Sequence, residues 1–213
     1  MRYKHDVFTH INNNMDFVNS EKYWNKRYNA NRNSGAGSYG HLARFKATIL
    51  NKFVKDNNIK SVIEFGCGDG NQLSLANYPN YCGYDVSNKS IELCKQKFEN
   101  DQTKNFKHLS EYGKKTYDLS LSLDVIYHLT EDEVYNSYIE TLFQSSKNYV
   151  IIYSSNDENI KSTAAHVKHR KFIRDIPSNY KCIKKIKNIY PYDPKNKKNT
   201  SFSDFYIFER IIK

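Results

Sequence analysis

Short apolar runs alternate with amphipathic stretches along most of the chain. Val62-Ile-Glu-Phe65 runs directly into Gly66-Cys-Gly-Asp-Gly70, the pattern of a buried strand entering a tight turn. A second short strand is predicted over 81–84, ending at Asp85, and a weaker one over 105–109. Residues 119–123 alternate leucine with serine and end at Asp124, while 149–153 form a continuous apolar run. Two closing strands, 182–186 and 205–212, flank a loop at 191–200.

Helical periodicity fills the intervals. It covers 41–54, with a further helix expected upstream, and 89–98, where Ile91, Cys94 and Phe98 share a face and Ser87 supplies a cap. Thr130, followed by Glu131 and Glu133, opens a helix carrying Val134, Ile139, Leu142 and Phe143, with its acids at the positive end of the helix dipole. Residues 166–173 also read as helical. Alternation of strand and helix predicts a mostly parallel sheet covered on both faces, and the late strand pair predicts an antiparallel edge strand. Seven strands, no internal repeat and no linker make 1–213 one α/β domain, with 1–40 as a helical N-terminal lid.

Composition adds bounds rather than detail. A chain of 213 residues can bury a layered core, and 18 Tyr with 12 Phe supply both core volume and stacking surfaces. Lys+Arg of 33 against Asp+Glu of 23 gives a net charge of +10. That charge concentrates anionic partners near the surface, and it equally describes a solvated lysine-rich exterior such as 181–198. Cys67, Cys82, Cys94 and Cys182 have neither CxxC nor paired metal spacing, so reduced thiols and no metal are expected. No signal-peptide core or membrane-length apolar run is visible, and a cytoplasmic protein is the simplest expectation.

Chemistry concentrates after the strands. Glycines at 66, 68 and 70 let backbone amides approach a ligand closely, although such a turn can also be purely structural. Asp85 falls where a dinucleotide fold places its ribose-binding acid; a helix-capping aspartate is the other reading. Glu64-x-Gly66-x-Gly68-x-Gly70, then Gly83-Tyr-Asp85-Val-Ser87, then Asp124-Val-Ile-Tyr-His128 together resemble the three core motifs of class I, Rossmann-like S-adenosylmethionine (SAM)-dependent methyltransferases. The resemblance covers about 55–155 well and the rest in outline.

That resemblance implies SAM as cofactor and S-adenosylhomocysteine as product. Glu64, Gly66 and Gly68 would lie along the amino-acid part of SAM, Asp85 on the ribose and Asp124 beside the methyl group. Asp101 and Phe106 are weaker candidates for the adenine wall. A nicotinamide dehydrogenase fits less well, because the turn is GxGxG rather than GxGxxG and Glu64 precedes it. Upstream, Trp24, Arg27 and the glycine-serine stretch at 34–37, with Ser34 and Gly35, are expected to cover the cofactor. Arg27 would pair with its carboxylate, a task suited to a planar two-pronged donor. A docking helix whose Trp fills a groove is the alternative.

On the acceptor side, Asp124 and His128 stand as the catalytic candidates, since an imidazole can take a proton near neutrality. His128 could equally orient the loop after its strand. His166, His169 and Arg170 are expected to bind a phosphate or carboxylate, or else to form an exposed basic helix face. The sequence also resembles small bacterial methyltransferases of surface and capsular polysaccharide biosynthesis. This implies O- or N-methylation of a small anionic acceptor: a sugar, nucleotide-sugar, or phosphate/phosphoramidate group. An RNA methyltransferase and a non-catalytic cofactor-binding subunit are the alternatives; no nucleic-acid-binding motif stands out, and no membrane partner is expected.

Overall fold

The computed structural model describes residues 17–162 and 164–211. Its seven strands are β1 (Val62–Phe65), β2 (Tyr81–Asp85), β3 (Lys104–His108), β4 (Tyr117–Leu123), β5 (Ser146–Ser154), β6 (Tyr180–Ile186) and β7 (Asp204–Arg210). They form one sheet in the order β3-β2-β1-β4-β5-β7-β6. Five strands, β1 to β5, pair in parallel, and β7 pairs antiparallel with both β5 and β6. The antiparallel strand expected late in the chain is therefore β7, one place in from β6.

Four helices accompany the sheet: α1 (Ser20–Asn29), α2 (Gly40–Asp56), α3 (Asn88–Lys97) and α4 (Asp132–Gln144). Successive residues of β1 point to opposite faces, so Val62 joins a core with Leu50 and Val54 of α2 and Ile91 and Cys94 of α3. Ile63 and Phe65 join the opposite core with Ile139, Leu142 and Phe143 of α4. Covering both faces is what makes β1 and the middle of β5 read as unbroken apolar runs. None of the described helices is long and apolar enough to cross a membrane.

The chain order creates the site. From β1 it moves outward through β2 and β3, then crosses back to β4 on the other side of β1. A crevice opens where the order reverses, beyond the carboxyl ends of β1 and β4. The glycine turn leaves β1 there, and Asp124 follows β4. α1 closes over this end, tied to the start of α4 by Ser20, whose N–H and hydroxyl donate to the Glu131 carboxylate at 2.9 and 2.6 Å.

Three local expectations are corrected. Residues 166–173 form no helix: the run is irregular, ending in a turn of 3-10 helix at Phe172–Asp175. The Lys168 N–H donates instead to the Tyr127 carbonyl at 2.8 Å, which docks the segment on the loop after β4. Val134 is 46% exposed and turned to the crevice, whereas Tyr135 takes the inward position in α4. Ser87 starts α3, yet its hydroxyl is buried without a partner among the described residues and does not cap. The upstream part of the expected lid, residues 1–16, and the end of the last predicted strand, Ile212, lie outside the described residues.

Candidate active site

The crevice encloses a cavity of about 1020 Å³. Its floor is the glycine turn, which only glycine can make at two positions. Gly66 and Gly68 have φ of 87° and 59°, and a Cβ on Gly68 would stand 2.4 Å from Ser34 Oγ. The turn is pinned to the end of β2, where Asp85 accepts from the N–H groups of Gly68 and Ser87, both at 3.0 Å. Burial raises the Asp85 carboxyl and these bonds oppose the rise. Glu64, 4% exposed, accepts from Tyr81 Oη at 2.6 Å. Burial pushes its pKa up to about 7, with the Tyr81 bond and the Lys46 charge acting the other way.

The lid is stapled to this floor. Ser34 N–H donates to Asp69 Oδ2 at 2.9 Å, and Asp69 N–H donates back to Ser34 Oγ at 2.9 Å. Tyr39 Oη donates to the same Asp69 oxygen at 2.7 Å. Burial raises the Asp69 carboxyl, but the bonds from Ser34, Tyr39 and Asn71 outweigh it and hold the group below its usual range. Trp24, Tyr28, Ser34 and Gly35 all line the cavity. Arg27 does not. Its Nε donates to the Asn33 carbonyl at 2.6 Å, and its guanidinium lies 5.7 Å from the centre of the Trp24 ring, so it stiffens the lid from behind.

Beyond the floor lies Asp124, in the left-handed conformation with φ of 61°. Three donors hold its carboxylate: Lys46 Nζ at 2.7 Å on one oxygen, and Tyr127 Oη and Ser203 Oγ, both at 2.9 Å, on the other. Lys46 is 1% exposed. Sequence reasoning passed over it, although it falls within the apolar stripe of α2 formed by Leu42, Ala43, Ala47, Leu50 and Val54. Asp69 was missed as well, since it lies between two glycines of the turn whose own spacing drew the attention.

His128 lines the cavity with its ring edge-on to Trp24, 5.0 Å between centroids. Its Nδ1 sits 3.0 Å from the His166 carbonyl, an acceptor only, so Nδ1 carries the proton and Nε2 the lone pair. Burial lowers the pKa to about 4, against the opposing bond to the His166 carbonyl and the Asp124 charge, so the ring is neutral at pH 7. His166 stacks between Tyr23 and His128, at 4.1 and 5.5 Å. His169 lines the cavity, with Nδ1 2.7 Å from Ser155 Oγ.

Two groups of candidates are redirected. His166, His169 and Arg170 do not come together as an anion site: only His169 lines the cavity, and burial lowers the pKa of both imidazoles. The Arg170 guanidinium donates to Asp132 at 2.6 Å and to the carbonyls of Leu129 and Thr130, and packs 4.3 Å from the Tyr135 ring centre. It faces a separate groove of about 550 Å³. Asp101 and Phe106 lie outside the cavity wall: Asp101 accepts from Thr103, and Phe106 is buried against Tyr81 and Phe98. Val86, Leu109 and Tyr112 take the wall next to Asp85 instead.

The cavity fits SAM on its own geometry. Gly66 and Gly68 put bare backbone on the cavity floor, a buried acid closes β2, and apolar side chains flank that acid. The chain matches a family model described as a methyltransferase domain over residues 39–194. No curated protein matches it. Among solved structures it is similar to the N-methyltransferase NodS of Bradyrhizobium japonicum WM9 in complex with S-adenosylhomocysteine, at 14% identity and a TM-score of 0.71 over 91% of this chain and 99% of that one. It is also similar to magnesium protoporphyrin IX methyltransferase (ChlM) of Synechocystis PCC 6803 with bound SAM, at 18% identity and a TM-score of 0.62 over 91% and 98%. The methyltransferase domain of bacterial CtHen1-C aligns at 19% identity with a TM-score of 0.57 over 78% and 97%. Since the family match spans both the glycine turn and the loop after β4, the chain belongs to the methyltransferase-domain family and is a SAM-dependent methyltransferase.

Proposed function

We propose that the chain methylates an O or N atom of a small anionic acceptor bound beside SAM in the same cavity. The observation that carries this reading is size and lining together. At about 1020 Å³ the cavity reaches the top of the range, roughly 300–1,000 Å³, that single-ligand pockets occupy, so an acceptor fits beside the cofactor. Beyond Asp124 its wall is Tyr127, His128, His169, Tyr192 and Phe202, with Lys161 and Lys197 at the rim. The rim's exposed carboxylates, Glu21 and Glu133, belong to α1 and α4; the lysines come from the segments after β5 and before β7.

SAM supplies a methyl group already activated on a sulfonium. Glu64, Gly66 and Gly68 flank its amino-acid part, Asp85 holds the ribose, and Val86, Leu109 and Tyr112 flank the base. Trp24, Ser34 and Gly35 exclude water from above. Asp124 and His128 align the acceptor, which is the main task left to the protein. His128 offers Nε2 as a hydrogen-bond acceptor to a hydroxyl or amine of the incoming molecule, His169 lines the same wall, and His166, outside the cavity lining, supports the His128 ring by stacking. Within this class, the resemblance to small bacterial methyltransferases of capsular polysaccharide biosynthesis favours a sugar, nucleotide-sugar, or phosphate/phosphoramidate acceptor. ChlM, one structural neighbour, is named for a small-molecule acceptor.

The test is transfer of labelled methyl from SAM into two separated pools, phosphorylated small molecules and total RNA. Label in the small-molecule pool is expected. Label in RNA alone would replace this reading by an RNA methyltransferase. Label in neither, with SAM binding intact, would favour a non-catalytic cofactor-binding subunit.

A further inference from the structure

Where α2 passes under the cavity, one helical turn anchors two polar side chains that the reaction as described leaves unused. Lys46 brings a fully buried ammonium to the cavity, held by Asp124 and lying 5.3 Å from the centre of the Tyr153 ring. Three residues earlier, the Ala43 carbonyl accepts the side-chain N–H of Gln72 at 3.1 Å. That bond fixes the amide, and the other end, Oε1, is left buried with no partner among the described residues. Gln72 is 8% exposed and also lines the cavity. A buried acceptor without a donor is unfavourable unless a ligand completes it, and a buried ammonium must remain paired.

A cation, an anion and an orphan acceptor at one end of a cavity complement a group bearing both an ammonium and a carboxylate. The amino-acid end of SAM is such a group; its ribose and adenine carry neither charge. We propose that Lys46 and Gln72 bind this end, Lys46 taking the carboxylate and Gln72 Oε1, with Asp124, taking the ammonium. Lys46 and Asp124 neutralise each other beforehand, so ligand entry exchanges one set of ion pairs for another rather than burying new charge. Burial keeps the neighbouring Glu64 near the midpoint of its titration at pH 7, which weakens it as a rival for the ammonium. The carboxylate contact expected of Arg27 thus moves from the lid to α2, consistent with Arg27 standing behind the wall.

The test compares two ligands by calorimetric titration of the full chain: S-adenosylhomocysteine, and 5′-methylthioadenosine, which lacks the amino-acid group. Lys46→Met is expected to weaken S-adenosylhomocysteine at least about tenfold while changing 5′-methylthioadenosine by less than about twofold. Gln72→Leu should show the same selectivity at several-fold, and Lys46→Arg should recover part of the loss. Lys46→Met leaves the Asp124 charge without its counter-ion, and Asp124→Asn would itself remove a proposed contact to the ammonium, so Gln72→Leu carries the test if Lys46→Met does not fold. Equal weakening of both ligands would assign Lys46 a purely structural role and overturn the proposal. So would unchanged S-adenosylhomocysteine binding, or a selective loss in Arg27→Ala instead.

Discussion

Ser34 and Asp69 exchange hydrogen bonds across the mouth of the cavity, each donating its backbone N–H to the other's side chain at 2.9 Å. Lid and glycine turn are thereby one unit, with Tyr39 Oη as a third tie. Asp69→Ala removes the acceptor for Ser34, Tyr39 and Asn71 together. We expect a loss of roughly 1–3 kcal/mol in urea unfolding, the cost of stranding such donors, and a several-fold rise in the Kd of S-adenosylhomocysteine. Hydrogen exchange should quicken first at 34–39. Unchanged exchange there would mean that the staple does not hold the lid.

Gly68 tests the same contact from below. Its φ of 59° disfavours any side chain, and an added Cβ would meet Ser34 Oγ at 2.4 Å and Tyr28 Oη at 3.0 Å. Gly68→Ala should cost about 1–2 kcal/mol through the left-handed backbone alone and weaken cofactor binding further by displacing the lid. Gly113→Ala is the control, since nothing lies within 4 Å of the added atom. Thermal melts with and without S-adenosylhomocysteine separate the two effects: Gly68→Ala should lose ligand stabilisation and Gly113→Ala should keep it.

Glu64 and His128 pull the pH dependence of stability in opposite directions. Burial pushes Glu64 up from 4.5 to about 7, so between those values the folded chain keeps a proton the unfolded chain has lost, and stability falls as pH rises. Burial pushes His128 down from 6.5 to about 4, so the unfolded chain holds the extra proton and stability falls as pH drops through that window. The two slopes offset one another between 4.5 and 6.5. Glu64→Gln keeps an acceptor for Tyr81 and removes the titration. Its stability relative to the parent should therefore rise between pH 5 and 7, by on the order of 2–3 kcal/mol. Unfolding curves at several pH values check this, and a pH-independent difference would place Glu64 outside the titrating set.

What was legible in the sequence follows from what burial does to composition. β1, β5 and the glycine turn announced themselves because strands covered on both faces must be apolar throughout and because φ values near 60–90° select glycine. Asp85 and Asp124 were legible because they follow strands at the sheet's carboxyl edge. Lys46 was not, since a lysine on an amphipathic helix ordinarily faces water; only its place within the 42–54 apolar stripe gave it away. The segment 166–173 misled for the opposite reason. Its helix-like spacing is real, but the backbone finds its partner in the Tyr127 carbonyl, a contact between residues 41 apart that no local pattern encodes. The cavity wall next to Asp85 was missed because its residues come from two separate turns, Val86 after β2 and Leu109 with Tyr112 after β3.

Arg170 and the rim lysines separate two accounts of how an anion is held. Arg170 commits both terminal nitrogens to Asp132 and two carbonyls and packs on the Tyr135 ring, with its buried Nε alone lacking a partner among the described residues, and it joins the irregular segment to the start of α4. Arg170→Ala should therefore act on stability, by roughly 1–3 kcal/mol, and leave the KM for the acceptor found in the labelled pool within about twofold. Lys161 and Lys197 are exposed and line the cavity, and neither is ion-paired among the described residues. Lys161→Gln with Lys197→Gln should raise that KM by roughly three- to tenfold with little change in kcat or stability. Added salt should erase most of the difference, because rim charges act through a screened field about 8–10 Å deep. Steady-state kinetics at two ionic strengths decide the matter. A KM that responds to Arg170 and ignores the lysines would return the anion site to the segment 166–170, and with it the groove that Arg170 faces.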